Sequence, residues 1–116
     1  MAKVRVKHLY IPKATTYVYE ITYVTKKNVP IDITGYTADL KIKRLDSEVV
    51  LYHATTANGK LSLISESGII RLIIPVSEND FDWGEATYDC EVTVPGTAEV
   101  FRLVKGSVFI DSDGAY

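Results

Sequence analysis

Strict alternation of residue type over residues 86–94 constrains the fold of this chain more than any other feature. The even positions are apolar or aromatic and polar side chains occupy the odd positions between them; the even set is Ala86, Tyr88, Cys90, Val92 and Val94. Because side chains alternate sides along a β-strand, a period of two predicts a strand with one face in a core and the other in solvent. The same period recurs along most of the sequence, which predicts an all-β protein.

Eight segments have strand character, and turn-forming residues separate them about every ten residues. They cover residues 4–11, 15–25, 36–44, 48–55, 60–64, 69–76, 86–94 and 99–110. We predict one domain over residues 1–116: an Ig-like antiparallel β-sandwich of seven or eight strands with one short helical turn near residues 77–82. The inward register of the strands predicts a core that includes Leu40, Ile42, Ile70, Leu72, Ile74, Tyr88, Cys90, Val92, Leu103 and Val108.

Four local features refine this prediction. Asn58-Gly59 is typical of a hairpin turn, since both residues tolerate positive φ. Ser77 is expected to cap the helical turn, Gly106 to break the last strand, and Gly35 to have positive φ or a close neighbour. The segment over residues 15–25 has apolar side chains on both faces, so we expect it to be covered on both sides or to lie at an interface.

The sequence offers little reaction chemistry. His8 and His53 have no partners at metal-ligand spacing, and Cys90 is the single cysteine, on the inward register. We therefore expect no catalytic residues, metal, cofactor or internal disulfide, and no small-molecule ligand. The net charge of −2 does not favour nucleic acid, and the N-terminus has no apolar run that would make a signal peptide or membrane span. Synthesis in a cytoplasm without secretion is the corresponding expectation.

The charges are unevenly distributed along the chain. Residues 1–27 have six cationic side chains and one carboxylate, a net +5, whereas residues 78–116 have two cations and nine carboxylates, a net −7. Strand pairing within one molecule would bring these segments together. Alternatively, the basic surface of one copy meets the acidic surface of the next in a head-to-tail assembly.

Residues 1–13 are interpreted as an N-terminal strand or arm used in assembly, because an unpaired terminal strand can add to the sheet of another chain. The candidate contact residues are Lys3, Arg5, Lys7 and Tyr10. Phe81 and Trp83 form a second candidate contact, with the alternative that Trp83 caps its own core. On this hypothesis, deletion of residues 1–11 leaves a folded domain that no longer assembles.

Several motifs, taken in order, resemble those of small phage-virion β-sandwich domains. An Asp-hydrophobic-Thr-Gly-Tyr turn occurs at residues 32–36, and a glycine-initiated apolar strand begins at Gly68. A Trp-Gly-x-x-x-Tyr-Asp strand follows at residues 83–89, and Arg-Leu-hydrophobic-x-Gly-x-hydrophobic closes the chain at residues 102–108. The resemblance covers about residues 15–110 and is to the N-terminal domain of siphophage baseplate upper proteins and related tail and fibre-adaptor proteins.

The resemblance implies a non-enzymatic structural or adaptor protein of a tailed-phage virion, located in the tail, neck, baseplate or fibre attachment. Its partners would be other virion proteins and copies of itself, with no membrane or nucleic acid. Baseplate upper proteins continue past this domain and this sequence ends at Tyr116, so we expect a free-standing module. The alternatives are a capsid decoration protein and a carbohydrate-binding module that stacks sugars on tyrosines. The competing interpretation of those tyrosines is core or cross-strand packing; they are Tyr17, Tyr19, Tyr23, Tyr36 and Tyr88.

Overall fold

The computed structural model describes residues 4–111, which form nine β-strands in two packed sheets. The strands are β1 (Arg5–Val6), β2 (Leu9–Pro12), β3 (Tyr17–Thr22), β4 (Thr37–Arg44), β5 (Val50–Thr55), β6 (Leu61–Ile64), β7 (Ile69–Ile74), β8 (Glu85–Thr93) and β9 (Val100–Asp111). Two 3₁₀ turns, Ser65–Ser67 and Val76–Glu78, complete the regular structure. The predicted all-β sandwich is confirmed.

The larger sheet has the order β1-β9-β8-β4-β5, with β2 also paired to β9, and the smaller sheet has the order β3-β7-β6. Strands β1 and β2 run parallel to β9, whereas the other strand pairs are antiparallel. The larger sheet is therefore mixed. The strand count exceeds the prediction because the N-terminal strand is divided at residues 7–8.

The core lies between the two sheets and contains every residue predicted for it. The ten predicted side chains are each at most 3% exposed. Alternation also holds in detail along β8, where Ala86, Tyr88, Cys90 and Val92 are buried and the residues between them are not. Strand β7, the apolar strand that follows Gly68, is the middle strand of the smaller sheet.

The side chains of the turn over residues 32–36 stabilise its conformation. The Asp32 carboxylate accepts hydrogen bonds from the backbone N–H of Thr34 at 2.9 Å and from its hydroxyl at 2.6 Å. Both bonds favour the ionised acid and lower the pKa of Asp32. Ile33 is fully buried, and Gly35 has a φ of +83°, as predicted. The turn thus inserts an apolar side chain into the core and redirects the chain into β4.

Three local predictions are wrong. Ser77 does not cap the 3₁₀ turn, whose N-cap residue is Pro75, and the turn ends by Asn79. The Asn58-Gly59 turn joins strands of different sheets, so it does not form a hairpin. Gly106 lies inside an uninterrupted β9, where a Cβ atom would collide with the carbonyl oxygen of Lys7. Its missing side chain lets the N-terminal segment approach β9.

Asn79 has a structural role that the sequence did not reveal. Its side chain is fully buried, and Nδ2 donates to the carbonyl oxygens of Pro12 at 2.9 Å and Thr15 at 2.8 Å. The backbone N–H of Ala14 donates to the Asn79 carbonyl at 2.8 Å. Asn79 therefore fixes the turn that carries the chain from the larger sheet into the smaller one.

Candidate protein interface

The N-terminal segment is a strand of the protein's own sheet. Residues Leu9–Pro12 pair with Val108–Asp111, and the side chains of Leu9 and Ile11 are 2% and 0% exposed. Deletion of residues 1–11 would remove two core side chains, which argues against the prediction that this deletion leaves a folded domain. The exposed part of the segment is short: residues 4–8 and Tyr10.

A hydrogen-bonded clasp (Tyr88, Tyr19 and the Lys7 carbonyl) holds the segment where β1 and β2 meet. The Tyr88 hydroxyl donates to the Lys7 carbonyl oxygen at 2.7 Å and lies 2.9 Å from the Tyr19 hydroxyl. Since Tyr88 has one hydroxyl proton and gives it to Lys7, Tyr19 donates to Tyr88. Burial raises the pKa of Tyr88 well above its usual value. The clasp connects both sheets to the N-terminal segment.

Beside the clasp, an open groove separates β1 from β3. We call it the seam. It consists of two cavities of about 410 and 330 Å³ that share Arg5. The larger cavity is lined by Arg5, Leu103 and the loop after β3, and the smaller one by residues of β1 and β3 together with Val104. The Arg5 guanidinium crosses the seam and donates to the carbonyl oxygen of Thr22 at 2.6 Å.

Strand β3 forms one wall of the seam and has a free edge, since it is the terminal strand of its sheet. The Tyr23 N–H donates to the Gly68 carbonyl, which extends the ladder between β3 and β7. Because alternate residues of an antiparallel pair bond across it, Tyr17, Tyr19 and Ile21 direct their backbone groups to β7. The backbone N–H and C=O groups of Val18, Glu20 and Thr22 consequently point away from β7, toward the seam. Of these groups, the Thr22 carbonyl accepts the hydrogen bond from Arg5.

The seam has an excess of positive charge. Arg5 and Lys7 flank one cavity and Lys26 lines the other. The carboxylate in this region, Glu20, accepts from Arg71 at 2.6 Å across the outer face of the smaller sheet. Its charge is therefore balanced by a residue outside the seam.

The candidate contact residues of the N-terminal segment lie in different places in the structure. Arg5 and Lys7 lie at the seam, whereas Lys3 lies outside the described residues. Tyr10 is half-exposed on the opposite face of β2, where its ring stacks on Phe109 at 5.2 Å. Tyr10 is therefore apart from the seam cations.

Phe81 and Trp83 pack on each other, with ring centroids 5.0 Å apart. Phe81 is 9% exposed and also meets the edge of the Tyr52 ring, so it belongs to the core and has little surface to offer as a contact residue. Trp83 is partly buried against the same core. This is the capping role that the alternative interpretation gave it.

The tyrosines proposed for sugar stacking serve the core. Tyr23 and Tyr88 are buried, and the other three pack against the core while partly buried; these are Tyr17, Tyr19 and Tyr36. Their faces are therefore not arranged as an exposed platform. Cross-strand packing is the interpretation that the structure supports.

Other chemistry is sparse in residues 4–111. No group of three or more His, Cys, Asp or Glu side chains there is placed to hold a metal ion. Burial raises the pKa of the Cys90 thiol to about 12, so at neutral pH it is protonated and a weak nucleophile. Within this range no helix has the length and apolar character needed to cross a bilayer.

Comparison with protein-family models and with curated proteins gives no match to this chain.

Proposed function

We propose that this chain is a non-enzymatic structural or adaptor protein of a tailed-bacteriophage virion, present in multiple copies. The observation that carries the proposal is the seam: a cationic groove beside a free strand edge whose backbone groups are directed outward. Unpaired strand edges favour association with another chain, and natural proteins cover or disrupt those they do not use. The virion setting is supported by the order of the sequence motifs, from the Asp32 turn to the Gly106 strand.

The solvent-facing side of the smaller sheet also suits protein contact. Val18 is 52% exposed and Ile73, its cross-strand neighbour, is 41% exposed. The ion pair of Glu20 with Arg71 lies next to them in the same sheet face. An apolar pair beside a charged pair is typical of interfaces, which combine an apolar centre with a polar rim. Val18 and Glu20 are exposed, so this strand is not covered on both sides within one molecule, and an interface at this face stays a prediction.

Mass spectrometry of purified virions tests the proposal. We expect peptides of this chain in particles of the phage that carries the sequence, at a copy number that is a multiple of a tail or capsid symmetry. Host proteins of similar abundance in the lysate serve as the control for carry-over. Particles that lack the chain after gradient purification would contradict the proposal.

A further inference from the structure

We propose that the free edge of β3 binds an extended acidic segment of another protein, which adds a strand to the smaller sheet and places its carboxylates beside Arg5 and Lys7. This inference rests on the proposed role in protein contacts and adds the chemistry of the partner. Backbone hydrogen bonds would provide the affinity, as in other cases of strand addition, and charge would provide the selectivity.

The backbone geometry supports strand addition at this edge. Outward-facing groups at Val18, Glu20 and Thr22 recur every second residue, which is the spacing that an added strand needs. The seam beside them provides space on the order of 300 to 400 Å³ in each of its two cavities. The Arg5 guanidinium holds the Thr22 carbonyl oxygen, the acceptor that a backbone N–H of the added strand would take.

On strand addition, the Arg5 guanidinium would lose the Thr22 carbonyl oxygen as its hydrogen-bond acceptor and gain a carboxylate. Released from Thr22, its guanidinium can form a charge-assisted pair with a carboxylate of the incoming strand, and such pairs are stronger than bonds to a neutral carbonyl. Lys7 and Lys26 add to the positive field, whereas Glu20 is already neutralised by Arg71. Charge complementarity therefore selects an acidic occupant.

Alternation in the added strand defines its composition further. Side chains on one face would point to Arg5 and Lys7, and those on the other would continue the outer face beside Val18 and Ile73. Carboxylates should therefore alternate with apolar residues.

A second copy of this chain fits the edge poorly. Pairing of two β3 edges would bring their seam cations together, and like charges in close contact oppose association. The acidic residues of β8 and β9 lie on strands that already pair on both sides, so their backbones have no free edge for β3. The occupant we assign is thus another protein.

Titration of the ¹⁵N-labelled chain with a seven-residue peptide of alternating valine and glutamate, blocked at both ends, tests this assignment. We expect saturable binding that weakens as salt is added, with amide shifts centred on Val18, Glu20, Thr22 and Arg5. A peptide with lysine in place of glutamate is the charge control and should not bind. Absence of saturable binding, or equal binding of both peptides, would overturn the proposal.

Two variant pairs test the separate contributions of charge and backbone. Arg5→Glu should weaken binding by about tenfold or more, the effect of losing one charge-assisted hydrogen bond. Its control, Arg102→Glu, alters a cation on the larger sheet and should leave affinity unchanged. Val18→Pro removes an N–H that points away from β7 and should abolish binding, whereas Val18→Thr keeps that N–H and should bind normally.

Thermal unfolding checks that each variant is folded before binding is compared. If Val18→Pro does not fold, the Arg5 and Arg102 pair decides the outcome, and equal loss in both would overturn the proposal. Concentration-dependent dimerisation that Val18→Pro prevents would also overturn it, because the edge would then be occupied by a second copy. Detection of the chain in virions is independent of these results, so failure here leaves the proposed function separately testable.

Discussion

The Tyr88 clasp yields the most specific prediction about stability. Tyr88→Phe removes one hydroxyl and keeps a ring that is 3% exposed, so packing is conserved while two hydrogen bonds are lost. At about 1 kcal/mol for each bond, the free energy of unfolding should fall by about 2 kcal/mol. Half of this loss comes from the bond to the Lys7 carbonyl and half from the bond to the Tyr19 hydroxyl.

Urea unfolding followed by tryptophan fluorescence measures this change. The midpoint should fall with an unchanged dependence on urea, since the buried surface is nearly the same. Tyr19→Phe is the matched control: it removes one of the two bonds from a half-buried ring, so its cost should be about 1 kcal/mol. In the double variant the costs should not add, because both substitutions remove the same bond. A Tyr88→Phe variant within about 0.3 kcal/mol of the parent would refute the clasp, since surface substitutions have effects of that size.

The remaining predictions concern the turn glycine, the N-terminal strand and alkaline pH. Gly68→Ala should lower the unfolding temperature far more than Gly59→Ala. Both glycines have positive φ, so the backbone strain of an alanine is similar at the two positions. At Gly68 the new Cβ would also lie 2.6 Å from the Ile31 carbonyl oxygen, whereas the space around Gly59 is open. Ile11→Ala should cost about 2–5 kcal/mol in urea unfolding and Val6→Ala under about 1 kcal/mol, since Ile11 is fully buried in the core and Val6 is 63% exposed. Stability should fall as pH rises above about 10, because unfolded tyrosine ionises there while burial holds Tyr88 protonated in the folded state. This fall should be shallower in Tyr88→Phe, and an equal slope would contradict the assignment.

Alternation was sufficient to predict the antiparallel part of the fold. In β4 and β8 a period of two fixes which side chains face the core, so Leu40, Ile42, Tyr88 and Cys90 could be placed without knowledge of their partners. The sequence of β7, apolar except for Arg71, is likewise typical of a central strand. Local pattern carries this information because burial on one face imposes it residue by residue.

Contacts between distant residues could not be predicted in the same way. The parallel pairing of β2 with β9 joins residues about a hundred positions apart, and nothing in residues 9–12 specifies that partner. Gly106 seemed to interrupt a strand because its function depends on Lys7, and Asn79 seemed part of a helix because its partners lie in the turn after Pro12. The structural roles of Gly106 and Asn79 therefore depend on residues that are close in space but distant in sequence.

The candidate interface was predicted only in part. An alternating basic N-terminus drew attention to Arg5 and Lys7, and both lie at the seam. The free edge of β3 was indicated only by its apolar residues on both faces, since strand order determines which edge is open. The burial of Phe81 could not be predicted, because an aromatic residue in a turn has the same local sequence whether it faces solvent or the core.

Reconstruction of the purified virion would show whether the β3 edge is a binding surface. We predict symmetry-related copies of this sandwich in the particle, each with an extended segment of a different protein paired along Val18–Thr22 and acidic side chains beside Arg5. Particles without the sandwich, or copies in which the β3 edge faces solvent and other surfaces make every contact, would contradict it.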